Sequence, residues 1–198
     1  IYMVANAGNM IDLQQMKEEG ISEEEWKKTT MAMSNGKVVN FFTGSLVIDG
    51  QNQPSQSLTL KRGVARFDLN VDVAGSAAIE SLTLRNVAQS GYLFAQGEVA
   101  ASPADVERND VTAHFDTALS ASTPGVLYVY EQENAGIEVS IEAVIDGQHK
   151  VLTKTLEGNL KRNTIYTVTV RKNAIDIVVK VDIDDWEPGE DTEIIPQL

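Results

Sequence analysis

Leu160–Trp186, LKRNTIYTVTVRKNAIDIVVKVDIDDW, decides the fold class of this 198-residue chain. It reads as two strands, Thr164–Val170 and Ala174–Ile183, joined by a polar turn at Arg171-Lys172-Asn173. In the second strand Ile175, Ile177, Val179, Val181 and Ile183 recur at every other position, against Asp176, Lys180, Asp182 and Asp184. Side chains on a strand alternate between its faces, so this pattern buries one face and wets the other. Asn173 tolerates the left-handed conformation that a tight turn requires.

The same period of two spreads upstream. Val64–Val73 sets Ala65, Phe67, Leu69, Val71 and Val73 against Arg66, Asp68, Asn70 and Asp72. Gly136–Ile145 alternates likewise, and Asp146-Gly147 is a hairpin turn leading into Lys150–Leu156. Further strands are expected at Ile1–Ala5, Phe41–Ile48, Ser57–Leu60, Ile79–Val87, Tyr92–Ala95, Thr112–Phe115 and Val126–Glu131. Two short helices interrupt the pattern. Asp12–Glu19 stops at Gly20, and Ser22 to about Thr30 opens with Glu25 at the capping-box spacing. Ala100–Asp110, small residues with Pro103, reads as a linker. The expectation is therefore an all-β chain of two tandem antiparallel β-sandwiches, residues 1–100 with the helical insertion and residues 101–198.

Composition excludes several chemistries. The net charge of −13, with no basic run longer than Lys61-Arg62, Lys27-Lys28 or Arg171-Lys172, opposes nucleic-acid binding. The absence of cysteine removes disulfides, thiolate catalysis and cysteine-based zinc sites. No apolar run approaches the length of a membrane-spanning helix. The chain starts at Ile1 instead of Met, so any export signal or lipid-anchor cysteine is expected upstream.

Candidate chemistry is sparse. His114 and His149 have no second ligand at a recognisable spacing, and no nucleophile elbow, phosphate loop or zinc-protease motif occurs. No cofactor or metal is expected. Asp182, Asp184, Asp185 and Glu187 offer hard oxygen ligands, but Trp186 and Pro188 interrupt them and the spacing is not that of a calcium loop; a solvated strand end accounts for them. Tyr128 and Tyr130 share one face of a strand, suited either to stacking on a sugar or to an aromatic ladder. Trp26, near Met31 and Met33, is expected to pack against a sheet or between domains.

Taken in order, several stretches resemble the fimbrillins of Bacteroidetes, the subunits of type V pili. They are YMVAN (Tyr2–Asn6), LKRGVARFDLNV (Leu60–Val71), IESLTLRNVAQSGYLF (Ile79–Phe94), LYVYEQEN (Leu127–Asn134), LKRNTIYTVTV (Leu160–Val170) and VDIDDW (Val181–Trp186). The resemblance implies transthyretin-like, Greek-key sandwiches, a lipoprotein precursor that is exported and cut after an arginine, and a structural pilus subunit without enzymatic activity. Its partners would be other pilus subunits and a host or bacterial surface ligand, at the outer membrane. The family has more chain before the segment matching Ile1, including a first strand, and a longer appendage than Glu187–Leu198 with its Pro196.

A sandwich lacking one strand exposes apolar side chains and unpaired backbone, which another chain can cover by inserting a strand. Burying five apolar side chains would contribute roughly 7–15 kcal/mol gross, comparable to a domain's whole stability. The expected acceptor groove is Ala65, Phe67, Leu69 and Val71 with Leu82 and Leu84; the expected donor is Thr192, Glu193, Ile194 and Ile195. The alternative function is a surface-exposed glycan-binding β-sandwich lipoprotein. A hydrolase finds no catalytic constellation, and a cap, tip or anchor subunit differs from a stalk subunit only in its donor strand.

Overall fold

A computed structural model describes residues 1–7, 11–48 and 57–180. Among them the chain runs β1 (Tyr2–Ala5), α1 (Leu13–Glu19), α2 (Glu23–Lys27), β2 (Thr30–Ala32), β3 (Phe42–Ser45), β4 (Lys61–Arg62) and β5 (Val64–Val71). It continues through β6 (Ala77–Ala88), β7 (Ser90–Tyr92), β8 (Arg108–Leu119), β9 (Thr123–Tyr130), β10 (Glu138–Ile145), β11 (Gln148–Thr155), β12 (Ile165–Val170) and β13 (Ile175–Lys180).

The hairpin that opened the sequence reading is β12–β13, in register from Ile165↔Lys180 to Val170↔Ile175. It belongs to a four-stranded sheet ordered β13-β12-β5-β9. A second four-stranded sheet, ordered β11-β10-β6-β8, packs against it. Between them lies one continuous core that includes Phe67, Leu69, Leu82, Leu84, Val129, Ile141, Tyr166 and Val168. Phe67 stacks on Tyr166 with ring centroids 5.1 Å apart. The all-β sandwich follows from the alternation: each strand has one apolar face, and facing two sheets buries both faces at once.

The division at residue 100 does not hold. β6, from the first half of the chain, is hydrogen-bonded on one side to β8 and on the other to β10. β5 likewise pairs with β9 and β12. Strands from both halves thus complete one sandwich, not two in tandem. Alternation tells which face of a strand is buried but not which strand lies beside it, so the pairing across the midpoint was hidden. The β5–β12 pair is also parallel, running from Ile165↔Arg66 to Val170↔Val71, where an antiparallel sheet was expected. Ala100–Asp110 is no free linker. Gln89 N donates to Glu107 O at 2.8 Å, and the Arg108 guanidinium donates to Gln132 Oε1 at 3.2 Å.

A smaller layer covers the outer face of the sandwich near the end of β9. It contains the sheet β1-β3-β4, the β2–β7 pair and both helices. Its core gathers Met31, Phe41, Val64, Leu93, Phe94 and Tyr130, with Trp26 packed against it at 5.5 Å from the Phe94 ring. Val64 and Tyr130 face this layer, whereas their neighbours Ala65 and Val129 face the sandwich interior, as strand alternation demands. The helices begin where expected. Asp12 Oδ1 accepts from the N–H groups of Gln14 and Gln15, and Gly20 ends α1 at φ 65°. Ser22 and Glu25 make the reciprocal capping box of α2. That helix stops earlier than expected. Thr30–Ala32 becomes β2 instead, paired with β7, and buries Met31 completely. Ser57–Leu60 lies outside any strand; the short β4 starts one residue later.

Candidate functional site

β8 and β9 end their respective sheets on the same side of the sandwich, so among the described residues each is hydrogen-bonded into a sheet along one edge only. Between them opens a cleft of about 400 Å³, lined by Val111, Thr112, Ala113, His114, Val126, Leu127 and Tyr128 and closed at one end by Gly36–Val38. Val111 and Leu127 are nearly buried at its floor, while Thr112 and His114 bring polar groups to its rim. An unpaired strand edge beside a cleft with an apolar floor is a template for another extended segment.

The sequence shapes both edges. On β9, Pro124 has no N–H to give a ladder, which suits an edge strand. The register against β5 jumps from Phe67↔Leu127 to Leu69↔Thr123. At that irregularity Gly125 adopts φ 63° and donates its N–H to Asp68 Oδ1 at 2.8 Å. Arg66 holds Asp68 in turn by a two-pronged contact of 2.7 and 2.8 Å. A Cβ at Gly125 would meet the Tyr128 hydroxyl at 2.5 Å, so glycine is required for both the left-handed backbone and the room. On β8, Asp110, Thr112, His114 and Asp116 point away from the core while Val111, Ala113 and Phe115 point in. Its register breaks between Leu84 and Val87, where Asn86 at φ 61° donates its N–H to Asp110 Oδ1 at 3.2 Å.

The expected groove residues occupy a different place. Ala65, Phe67, Leu69, Leu82 and Leu84 are at most 2% exposed, and Val71 is packed at the margin of the same core. They form no open groove, because β9, β10 and β12 of the second half cover them. They stand one strand behind the seam: Leu82 pairs with Ala113, Leu84 with Val111 and Phe67 with Leu127. The donor Thr192–Ile195 and the acidic cluster Asp182, Asp184, Asp185 and Glu187 lie outside the described residues.

The tyrosine pair divides its labour. Tyr128 lines the cleft, while Tyr130 is fully buried, donating to Ala32 O at 3.1 Å and accepting from Val39 N at 2.9 Å. Burial pushes the Tyr130 phenol above its ordinary pKa, against the pull of the Val39 hydrogen bond. Trp26 packs in the small layer, as expected. His114 is exposed on β8, and His149 Nδ1 lies 3.5 Å from Glu80 on the far edge. Other shifted groups are scattered in surface pairs. Hydrogen bonds from Lys172 and Ser76 hold Asp146 low, and Lys154 with Arg171 does the same for Asp176. Among the described residues no group of three or more His, Asp or Glu side chains is placed to hold a metal ion, and no helix is long and apolar enough to cross a membrane. The seam itself was missed in the sequence; Pro124 and the polar outward row of β8 were its signals.

A family model described as a bacterial Ig-like domain matches residues 96–183, which is less than half the chain and takes in β8 to β13. No curated protein matches. Among solved structures, a candidate cell adhesion protein of Bacteroides eggerthii is similar at a TM-score of 0.59 and 13% identity, covering 90% of this chain and 76% of that one. The tip fimbrial protein Mfa3 of Porphyromonas gingivalis, C-terminally truncated, gives 0.56 at 13% identity, covering 90% and 78%. A candidate cell adhesion protein of Bacteroides uniformis gives 0.51 at 13% identity; the match covers 78% of this chain but 65% of that protein, under two thirds of its length. At this identity the likeness is one of fold: this chain shares the sandwich of these surface proteins.

Proposed function

We propose that this chain is a non-catalytic structural subunit of a bacterial surface fimbria, joined to other subunits by strand addition and supporting adhesion. The observation that carries the reading is the seam, where β8 and β9 present edges unpaired among the described residues over a cleft whose floor, Val111 and Leu127, is apolar. An extended segment of another subunit would hydrogen-bond along one edge and set alternate side chains against Val111, Ala113 and Leu127. The acceptor thus moves from the interior residues of β5 and β6 to the edge in front of them. Thr192–Ile195 is kept as the donor, with Ile194 and Ile195 as its apolar anchors. A head-to-tail joint of this kind repeats into a filament.

Surface location is supported by the fold shared with a tip fimbrial protein and cell adhesion proteins. Export as a lipoprotein precursor belongs to the same reading. A non-catalytic role is supported by the fold shared with a cell adhesion protein and a tip fimbrial protein.

The test is chemical cross-linking of the purified full chain at high concentration. A ladder of multimers is expected. It should vanish in Val126→Lys, which puts a charge in the cleft, and in the double variant Ile194→Asp, Ile195→Asp, with the circular dichroism melt unchanged. A wild-type chain that stays monomeric, or a ladder that survives Val126→Lys, overturns the seam; a ladder that survives only the tail variant overturns the donor.

A further inference from the structure

A second hollow, about 540 Å³, lies in the small layer, away from the seam. Its walls carry three cations, Lys27, Lys61 and Arg162, three aliphatic hydroxyls, Thr43, Ser45 and Thr59, and the phenol of Tyr2. Among the described residues no Asp or Glu lines it, although the chain as a whole carries a net charge of −13. Lys27 is balanced by Glu23 at 2.6 Å and Arg162 by Glu131, both from outside the lining. Lys61 has no carboxylate partner among the described residues, and its ammonium stands at the rim of this polar concavity.

The local fold makes the hollow. β3 runs through it as the middle strand of β1-β3-β4. On β3 a Cβ at Gly44 would meet Thr59 O at 2.4 Å, so glycine lets the backbone at Thr59 close over the sheet. The Thr43 hydroxyl is anchored on Leu93 O at 3.4 Å, and the Arg162 guanidinium on Tyr92 O and Leu93 O at 2.9 and 3.0 Å. The floor is therefore preorganised, while Lys61, Ser45 and Thr59 are exposed at the rim.

We propose that this hollow binds an acidic saccharide, with the sugar carboxylate on Lys61 and the sugar hydroxyls on the Thr and Ser side chains. The volume falls within the ~300–1,000 Å³ usual for small-molecule sites. Hydroxyl-bearing ligands match hydroxyl-bearing walls, and a lone ammonium reads a carboxylate as a point charge. An added peptide strand is disfavoured because β3 is already paired on both edges. The inference goes beyond the joining of copies and does not depend on it.

The probes are 3′-sialyllactose and trigalacturonic acid, with lactose as the neutral control and hexaglutamate as the acidic non-sugar control, titrated by calorimetry into the full chain. At least one acidic sugar is expected to bind, with lactose at least about tenfold weaker for want of the charge-assisted hydrogen bond to Lys61, and hexaglutamate weaker because it brings no hydroxyls to the Thr and Ser side chains. Lys61→Ala should weaken the acidic sugar by about tenfold, and Lys61→Arg should restore most of it. Absence of acidic-sugar binding, equal binding of hexaglutamate, or an unchanged affinity in Lys61→Ala overturns the proposal. Val126→Lys should bind the same sugar as well as wild type, so failure of the seam and failure of the sugar site are told apart.

Discussion

Arg162 and Glu131 form an ion pair in which the side chains keep 10% and 11% exposure. Glu131 follows β9 and Arg162 precedes β12, so the pair ties two strands of one sheet. The same guanidinium donates to the carbonyls of Tyr92 and Leu93, at the end of β7 and in the small layer. One side chain thus clasps the layer to the sandwich. Removing one partner of a buried pair leaves a charge without compensation, which costs about 3–5 kcal/mol. Glu131→Ala is expected to lower the urea unfolding free energy by that amount. Arg162→Met with Glu131→Leu should cost less than Glu131→Ala alone, because neither charge is left stranded. A loss under about 1 kcal/mol in Glu131→Ala, at the level of an exposed pair, would remove the clasp from the account.

Burial raises the phenol pKa of both Tyr130 and Tyr166. The folded state therefore holds these protons more tightly than the unfolded chain, whose tyrosines titrate near pH ~10. The stabilisation is complete below that pH and falls away as pH rises through the higher folded-state values. Tyr130→Phe should cost about 1–3 kcal/mol at neutral pH, since Ala32 O and Val39 N lose their buried partner. It should also flatten the alkaline loss of stability. Urea midpoints compared between about pH 8 and about pH 11 check both, and an unchanged alkaline slope would exclude Tyr130 as its source.

What the sequence made legible were the local devices. The β12–β13 hairpin, the Ser22–Glu25 capping box and the Gly20 stop each depend on residues within a few positions of one another, and each stands where it was read. The apolar row of β5 was also read as one face of a strand, and Ala65, Phe67 and Leu69 of that row are buried. Their neighbours were not legible, because Val64↔Tyr130 and Leu84↔Val139 join residues far apart in the chain through backbone groups that every residue carries. An acceptor groove was therefore assigned to side chains that the chain covers with its own strands. Thr30–Ala32 was lost for a related reason: three residues are too few to show a period, and only the pairing with β7 makes them a strand.

Gly63 lies where the small layer meets β5. A Cβ there would stand 2.0 Å from Phe41 Cζ, and Phe41 is fully buried. Gly63→Ala must displace that ring within a packed cluster, at a cost of about 1–3 kcal/mol. The expected signature is a lowered unfolding midpoint with the sandwich strands still protected in hydrogen exchange. Gly63→Ala with Phe41→Leu should recover part of the loss by vacating the space, and no recovery would place the damage in the backbone instead.

Gly125 links stability to the seam. Its left-handed backbone costs a non-glycine residue roughly 1–2 kcal/mol, and the Tyr128 hydroxyl stands in the path of any side chain. The same turn gives Asp68 its hydrogen bond from the Gly125 N–H and fixes how the start of β9 approaches β5. Gly125→Ala is therefore expected to lose about 1–2 kcal/mol and to shift Tyr128 at the cleft wall, so that the cross-linked ladder fades more than the stability loss alone explains. Asp68→Asn separates the two effects. It keeps an oxygen acceptor for the Gly125 N–H but loses the charge facing Arg66, so it should lower the melting temperature while leaving the ladder in place. If both variants reduce the ladder only in proportion to their stability, the shape of this edge has no part in joining copies.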